Sequence, residues 1–412
     1  MVNQMRILLL TPQRPYPPHQ GTTLRNFNLI KELAQRHRVC VLSFLEADQS
    51  PSKAGPLLDL CEWVETVPAP RRTTELRLRQ MLLTRRPDMS WRLWSPEFNE
   101  RLAARLSQHP FDVIEIEGIE MAPYLPTIIA ASQPRPLIIY DAHNAEWILQ
   151  KRAFEADIRN PTRWHAAAYS WVQWHRLRRY EANIMSQVDH TIAMSAPDKV
   201  TLRDVAPNAP ITVIPNGVDL EAYGRFKGAP VRVDLLFTGK MDFRPNIDAA
   251  LWFGRHVLPL IQKQRPQTNF AIVGQRPHPR LDVLRDMPGV TVTGYVDDVR
   301  PYLAGATVYV APLRVGGGTR LKLLEAMVMG LAIVSTTVGA EGFPVVNGQE
   351  LILADEPEQF AGEVLNLLEN PARRNRLGST GRTFAEANYG WEALTPQLEK
   401  VYETGLKQND GH

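Results

Sequence analysis

Two apolar runs, one in each half of the chain, open the same pattern of strand, loop and helix. The first, Met5-Arg6-Ile7-Leu8-Leu9-Leu10, leads into the proline-rich loop PQRPYPPHQG and then a helix with Leu24, Phe27, Ile30, Leu33 and Ala34 on one stripe. The second, VDLLFTG from Val233, leads into a helix opened by Pro245-Asn246, with Ala250, Phe253, Val257 and Ile261 on its stripe. Runs that stay apolar without alternating suit strands covered on both faces, as in parallel sheets. Strands separated by amphipathic helices join through right-handed crossovers. The expected fold class is therefore α/β, with two Rossmann-like halves.

Further strands of the first half read at RVCVLSF from Arg38, Asp112-Val113-Ile114-Glu115-Ile116, Leu137-Ile138-Ile139-Tyr140, Val188-Asp189-His190-Thr191-Ile192 and Ile211-Thr212-Val213-Ile214. NFAIVG, VTVTG, TVYVAP and LAIVST supply those of the second half. Turn-rich segments at Pro215–Asp219 and Lys227–Pro230 mark a linker. Helices are expected at 358–368, 372–387 and, after the Tyr389-Gly390 break, 391–402. The expected division is 1–215, a hinge at 216–230, a second domain at 231–388, and a final helix at 389–412 crossing back to the first domain. A ligand would lie in a cleft between the domains, at the carboxyl ends of the strands.

Composition narrows the classes. At about 150 residues per domain, the 412 residues allow two or three domains, and the two starts select two. Hydrophobic residues at 44% and charged residues at 22% exclude wholesale disorder and a fibrous protein. No apolar run reaches the ~18 residues of a spanning helix. Met5–Leu10 ends at Thr11-Pro12, too short for a signal segment, so a buried strand and a cytoplasmic location are expected. Cys40 and Cys61 lack metal-ligand spacing, which points away from a disulfide scaffold and toward a reducing compartment. Forty-seven basic residues against 44 acidic, a net +3, is too even a balance to imply nucleic acid, and no nucleic-acid module is present.

The strongest local signal is Arg314-Val315-Gly316-Gly317-Gly318-Thr319-Arg320-Leu321-Lys322-Leu323-Leu324-Glu325, between a strand ending at Ala311-Pro312 and a helix ended by Gly330. A glycine-rich loop at a helix start exposes unpaired amides, and the helix dipole adds positive potential. Thr319 caps the start, and Arg320 and Lys322 add two cations suited to a diphosphate. The Gly-Lys-Ser/Thr ending of a P-loop is missing. Leu324 and Glu325 follow on the same helix, where the Glu325 carboxylate can accept from ribose hydroxyls. The competing reading is a tight turn before a solvated, basic helix start.

These residues carry a resemblance. FTGKMDFRPN, FAIVG, VTVTGYVDDVRPYLAGATVYVAPLR, GGGTRLKLLEAMVMG, LAIVSTTVGAEG and YGWEAL resemble the donor domain of the retaining nucleotide-sugar glycosyltransferases of family 4, which have the two-domain GT-B fold. The first half is similar to the family's acceptor domain through MRILLLTPQRPYPPHQGTTLRNFNLIKELAQRHRVCVL, YDAHNAEW and IPNGVD. The resemblance implies that Glu325 is the second Glu of a Glu-x7-Glu motif and holds the ribose. The first Glu is replaced by Gly317, with Arg314 or loop amides as substitutes. A family Gly-Arg step meeting the diphosphate becomes Gly239-Lys240, and Arg320 stands in for a family Lys not plainly matched at Arg244-Pro245. Lys240 is otherwise a solvated strand-end lysine.

His143 matches a family histidine facing the transferred sugar, or else packs in its loop. Gly21 matches a glycine allowing close backbone approach, or else serves only the turn into the helix. Val296 lies where backbone groups receive the base, and Glu341 is a further donor-site candidate. Together these implications predict a metal-independent retaining transferase with no cofactor. Its partners are a nucleotide-sugar donor and a sugar or lipid-linked acceptor, as in polysaccharide biosynthesis. The alternatives are a non-catalytic nucleotide-sugar-binding protein and a GT-B epimerase. PQRPYPPHQG in place of Gly-x-Gly-x-x-Gly points away from a nicotinamide dehydrogenase.

One region stands apart. Arg71, Arg72, Arg77, Arg79, Arg85, Arg86 and Arg92 meet only Glu75 and Asp88, with Leu76, Leu78, Met81, Leu82 and Leu83 between them. Trp164, Trp171 and Trp174 mix later with Arg163, Arg176, Arg178 and Arg179. Either the segment meets an anionic membrane surface as a peripheral contact, or these are amphipathic helices packed on the domain with solvated arginines.

Overall fold

The computed structural model describes residues 4–18, 21–46, 55–131, 134–224, 226–315 and 320–409. The chain divides into two units, Met1–Pro215 with Thr395–His412, and Asn216–Leu394. Unit 1 carries strands β1 (Arg6–Thr11), β2 (Arg38–Leu45), β3 (Trp63–Pro68), β4 (Val113–Glu117), β5 (Leu137–Ala142), β6 (His190–Ala193) and β7 (Ile211–Val213). Unit 2 carries β8 (Val233–Thr238), β9 (Phe270–Val273), β10 (Val290–Val292), β11 (Ala306–Ala311), β12 (Ala332–Ser335) and β13 (Ile352–Leu353). The helices that bear on the sites are α1 (Gly21–Leu33), α2 (Thr74–Leu83), α3 (Glu146–Asp157), α4 (Trp164–Met185), α5 (Leu220–Gly224), α6 (Arg244–Trp252), α7 (Leu321–Val328) and α8 (Trp391–Asn409).

Both sheets are parallel and share one plan. The orders are β3-β2-β1-β4-β5-β6-β7 and β10-β9-β8-β11-β12-β13. In each, the first strand of the unit is central and the direction of winding reverses beside it, between β1 and β4 or between β8 and β11. Loops leaving the carboxyl ends of such a pair diverge, which opens a crevice there. The α/β, two-Rossmann architecture expected from the two starts is the one observed.

Burial explains why the strands read as unbroken apolar runs. In unit 2, Leu235, Phe237, Ile272, Val308 and Val310 pack into one cluster, and Leu236, Val273, Tyr309 and Ile333 into another. Neighbouring residues thus serve opposite faces, and both are covered. Truncating a fully buried aromatic such as Phe237 to alanine costs about 3–5 kcal/mol. Two strands, β3 and β13, are absent from the sequence reading. Each is the outermost strand of its sheet with a single partner. β3 is only half-buried along most of its length, and β13 has two residues.

The segment 216–230 packs with unit 2 and contains α5. The Val218 N–H donates to the Tyr389 carbonyl at 2.8 Å, just before the Gly390 break. Beyond that break, α8 carries residues from Thr395 onward into unit 1, where the Tyr402 hydroxyl donates to Glu115 Oε2 at 2.7 Å. Among the described residues, no helix is long and apolar enough to cross a membrane.

Candidate active site

At the reversal in unit 2, β8 ends at Thr238 and the chain turns through Gly239-Lys240. The loop after β9 approaches so closely that a Cβ on Gly274 would lie 1.6 Å from the Gly239 carbonyl oxygen. On Gly239 a Cβ would lie 2.7 Å from both Asn246 Nδ2 and Lys322 Nζ. With φ of 154° and 157°, both positions need glycine. Asn246, in the first turn of α6, donates from Nδ2 to the Lys240 carbonyl at 2.9 Å. Its Oδ1 accepts from Lys322 Nζ at 2.7 Å. The Lys322 ammonium also stands 4.5 Å from the centre of the Phe237 ring. One buried asparagine therefore ties the loop after β8 to the start of α7.

The cations here are held against burial. Arg320, immediately before α7, is 8% exposed. Its pKa is lowered by burial, with Glu341 opposing. Burial and then the like charge of Arg320 bring Lys322 down to about 7, against the pull of Glu325. Glu325, a turn further along α7, accepts from the Tyr223 hydroxyl of α5 at 2.9 Å. Burial raises its pKa, with Tyr223 and Lys322 opposing. A site that has desolvated two cations and left them beside each other favours an anion.

The other expected positions are placed as follows. The Lys240 side chain is 51% exposed and 3.8 Å from Asp242. Arg314 is engaged by Asp248 of α6 through two contacts of 3.0 and 2.7 Å. Leu324 is buried core. Val296 packs half-buried against the cluster beneath α7, and Glu341 is exposed. Gly316, Gly317, Gly318 and Thr319 lie outside the described residues. Asn246, Gly274 and Tyr223 are additions to the expected set. The Pro245-Asn246 helix start was visible in the sequence, whereas the other two depend on contacts between distant segments.

The reversal in unit 1 is acidic. Glu115 and Glu117 are two residues apart on β4 and so share a face, and Glu117 is in register with Asp141 of β5. All three are fully buried. Arg25 of α1, 1% exposed, donates from Nε to Asp141 Oδ2 at 2.9 Å, and a second guanidinium nitrogen forms an ion pair with the same oxygen at 2.7 Å. His143 Nε2 is 2.9 Å from Glu117 Oε2. Burial alone would lower the His143 pKa, but Glu117 and Asp141 outweigh it and the net direction is up. Burial, Glu117 and Asp141 hold the Glu115 carboxyl well above the usual range. Glu117, Asp141 and His143 bring one ligand atom each within 4.8 Å, a set able to meet a metal ion. The Arg25 guanidinium already supplies its positive charge. Beside it a pocket of about 330 Å³ opens, lined by Gln13, Arg92, Glu120, Tyr140, His143 and Glu146 among others. Gly21 begins α1, and among the described residues a Cβ there would meet nothing within 4 Å.

Known proteins place this arrangement. Residues 20–222 match the family described as Glycosyltransferase Family 4, and residues 232–370 match Glycosyl transferases group 1. A phosphatidyl-myo-inositol mannosyltransferase of Mycobacterium tuberculosis is 31% identical over 208 residues, 46% of this chain and 53% of that protein. The chain spans about half the length of the curated relatives it first matches. The fold is similar to sucrose-phosphate synthase of Thermosynechococcus elongatus, with a TM-score of 0.69 at 19% identity over 97% of this chain and 98% of that one. It is also similar to Anabaena HepE in complex with UDP, with a TM-score of 0.67 at 15% identity over 97% of this chain and 100% of that one. With both units matched by family and nearly the whole chain matched by fold, the protein belongs to the GT-B glycosyltransferases of group 1, family 4.

Proposed function

We propose that this protein transfers a sugar, with retention, from a nucleoside diphosphate sugar bound by unit 2 to an acceptor bound by unit 1. The observation that carries this reading is the cation pair of buried Arg320 and half-buried Lys322, set beside Gly239 and Glu325 at the winding reversal of unit 2. Breaking the bond between the sugar and the diphosphate leaves negative charge on the leaving oxygen. Preorganised cations in a low-dielectric site stabilise that charge without reorganising. The acceptor hydroxyl bonds to the anomeric carbon on the same face, and its proton passes to the leaving diphosphate. No protein base and no metal are required. Glu325, oriented by Tyr223, accepts from the ribose hydroxyls. HepE has been solved with UDP, so UDP-sugars lead the donor candidates.

A thermal-shift screen with UDP-, GDP- and ADP-sugars tests the donor half. A ligand that binds only the folded state raises the melting temperature by mass action. No shift with any of them rejects the donor site. A shift without transfer to any acceptor points instead to a non-catalytic nucleotide-sugar-binding protein, a reading that the Gly317 replacement keeps in view.

An anionic membrane surface is the second partner in this reading, met by the Arg71–Arg92 segment. Helix α2 buries none of its residues, and Leu78, Leu82 and Leu83 are 52%, 70% and 72% exposed. Arg71, Arg79 and Arg85 are exposed around them. Apolar side chains flanked by arginines suit an interface of anionic lipid. Flotation with phosphatidylglycerol vesicles, compared with phosphatidylcholine alone, checks this. Equal recovery from both rejects it.

A further inference from the structure

We propose that the pocket at the β1/β4 reversal of unit 1 receives a neutral, hydroxyl-rich terminal unit of the acceptor and rejects anionic ones, with Tyr140, Glu120 and Glu146 as the specificity-determining residues. This rests on the reading that unit 1 binds the acceptor, and it adds the chemical class of that acceptor.

Charge is the first argument. Three carboxylates line the pocket, Glu46, Glu120 and Glu146, against two groups able to be positive, Arg92 and His143. Both are already matched by carboxylates. Arg92 lies 3.0 Å from Glu120 and is 56% exposed, while His143 is held by Glu117. Behind the pocket wall stand Glu115, Glu117 and Asp141, with Arg25 alone among them. A phosphate or carboxylate entering here would meet like charge in a partly desolvated space. A sugar hydroxyl would instead donate to an acceptor-only carboxylate, a charge-assisted hydrogen bond.

Tyr140 is the second argument, independent of charge. It is fully buried and lines the pocket, and its hydroxyl has no hydrogen-bond partner among the described residues. Buried hydroxyls are nearly always paired, so an orphan lining a pocket marks a place where a ligand oxygen completes the set. Glu146 is set for the same task. Its backbone N–H and that of Trp147 donate to Glu181 at 2.9 Å each, fixing the start of α3. Asn144 Nδ2 donates to Glu146 Oε1 at 3.1 Å, orienting that carboxylate. Gly118, with φ of 84°, lets the loop after β4 pass close to His143, since a Cβ would lie 3.2 Å from Nδ1. The volume, about 330 Å³, is near the lower end of small-molecule sites and fits a sugar-sized group rather than a lipid chain.

The test uses the full chain and two sets of probes, p-nitrophenyl glucoside and galactoside as neutral glycosides and p-nitrophenyl glucuronide as the anionic one. Binding is read by saturation-transfer NMR without donor. The neutral probes should bind, and the glucuronide at least tenfold more weakly. Glu146→Gln and Glu120→Gln should weaken the neutral probes severalfold and narrow the gap to the glucuronide. Tyr140→Phe, which removes one oxygen, should weaken the neutral probes while leaving the melting temperature unchanged or raised. Glucuronide binding equal to or tighter than the neutral glycosides overturns the proposal. So does an absence of binding by all three, or indifference of the neutral probes to all three substitutions. UDP affinity by calorimetry, run on the same samples, reports separately on unit 2. Its loss would reject the donor reading and leave the pocket result standing.

Discussion

The two reversals are built on the same strand plan and hold opposite charges. In unit 1 the strand ends bring together Glu115, Glu117 and Asp141, and burial drives the two glutamates upward in pKa. In unit 2 the equivalent place brings together Arg320 and Lys322, and burial drives both downward. The backbone supplies the crevice in each case, and the side chains decide what it will accept. The two also differ in how the charge is settled. Asp141 has a buried arginine in direct contact. Lys322 has a neutral partner, Asn246, and a like-charged neighbour. Asp141 is met by a contacting cation, while Lys322 is met by a neutral contact, with Glu325 pulling its pKa upward against burial.

The largest expected effect breaks the acidic side. Arg25→Met removes the counter-charge of a fully buried carboxylate and should cost about 3–5 kcal/mol, seen as a large fall in melting temperature. Lys322→Met removes a charge that burial already disfavours but leaves Asn246 Oδ1 without its donor, and should cost about 1–3 kcal/mol. Equal losses from both would erase the distinction. Next comes turnover. Arg320→Ala should lower kcat by about a hundredfold or more if the guanidinium stabilises the leaving diphosphate. Lys240→Ala, whose side chain is half exposed beside Asp242, should lower it less. The reverse order in steady-state kinetics would move the catalytic charge to the loop after β8. Glu325→Ala follows. Losing a hydrogen bond to a charged group should weaken UDP by about 1.5–3 kcal/mol in calorimetry, and unchanged affinity would reject the ribose role.

Much of the fold was legible because burial on both faces leaves an unmistakable run of apolar residues. The central strands, such as β1 and β8, carry it in full. β3 does not, because it is only half-buried along most of its length, and β13 does not, because two residues are too short to show a run. The candidate site divides along a similar line. Arg320, Lys322 and Glu325 sit on one stretch of chain and could be read together. Gly274 could not, because only its approach to Gly239 gives it meaning. Glu115 and Glu117 were a missed signal of a different kind. Two acids in an otherwise apolar strand, VIEIE, are out of place unless something buried answers them, and Arg25 lies far away in sequence.

The smallest expected effect is a pH dependence, and it tests the cationic side directly. Free Lys322 sits at about 7, far below an ordinary lysine, so near neutrality only part of the population is charged. A bound diphosphate favours the ammonium and raises its pKa, so binding takes up a proton. Affinity should be at full strength below pH 7 and weaken as pH rises through that value. The fall should approach about tenfold per pH unit until the raised pKa of the complex is reached. Calorimetry of UDP at pH 6, 7, 8 and 9, repeated in buffers of different ionisation heat, measures both the slope and the proton uptake. Lys322→Arg, charged throughout, should flatten the profile, and Lys322→Met should flatten it at the weaker, high-pH affinity. Wild-type binding that is level from pH 6 to 9 without proton uptake would mean that Lys322 is a packing residue tied to Asn246. The anion would then have to be held by Arg320 and the backbone amides alone.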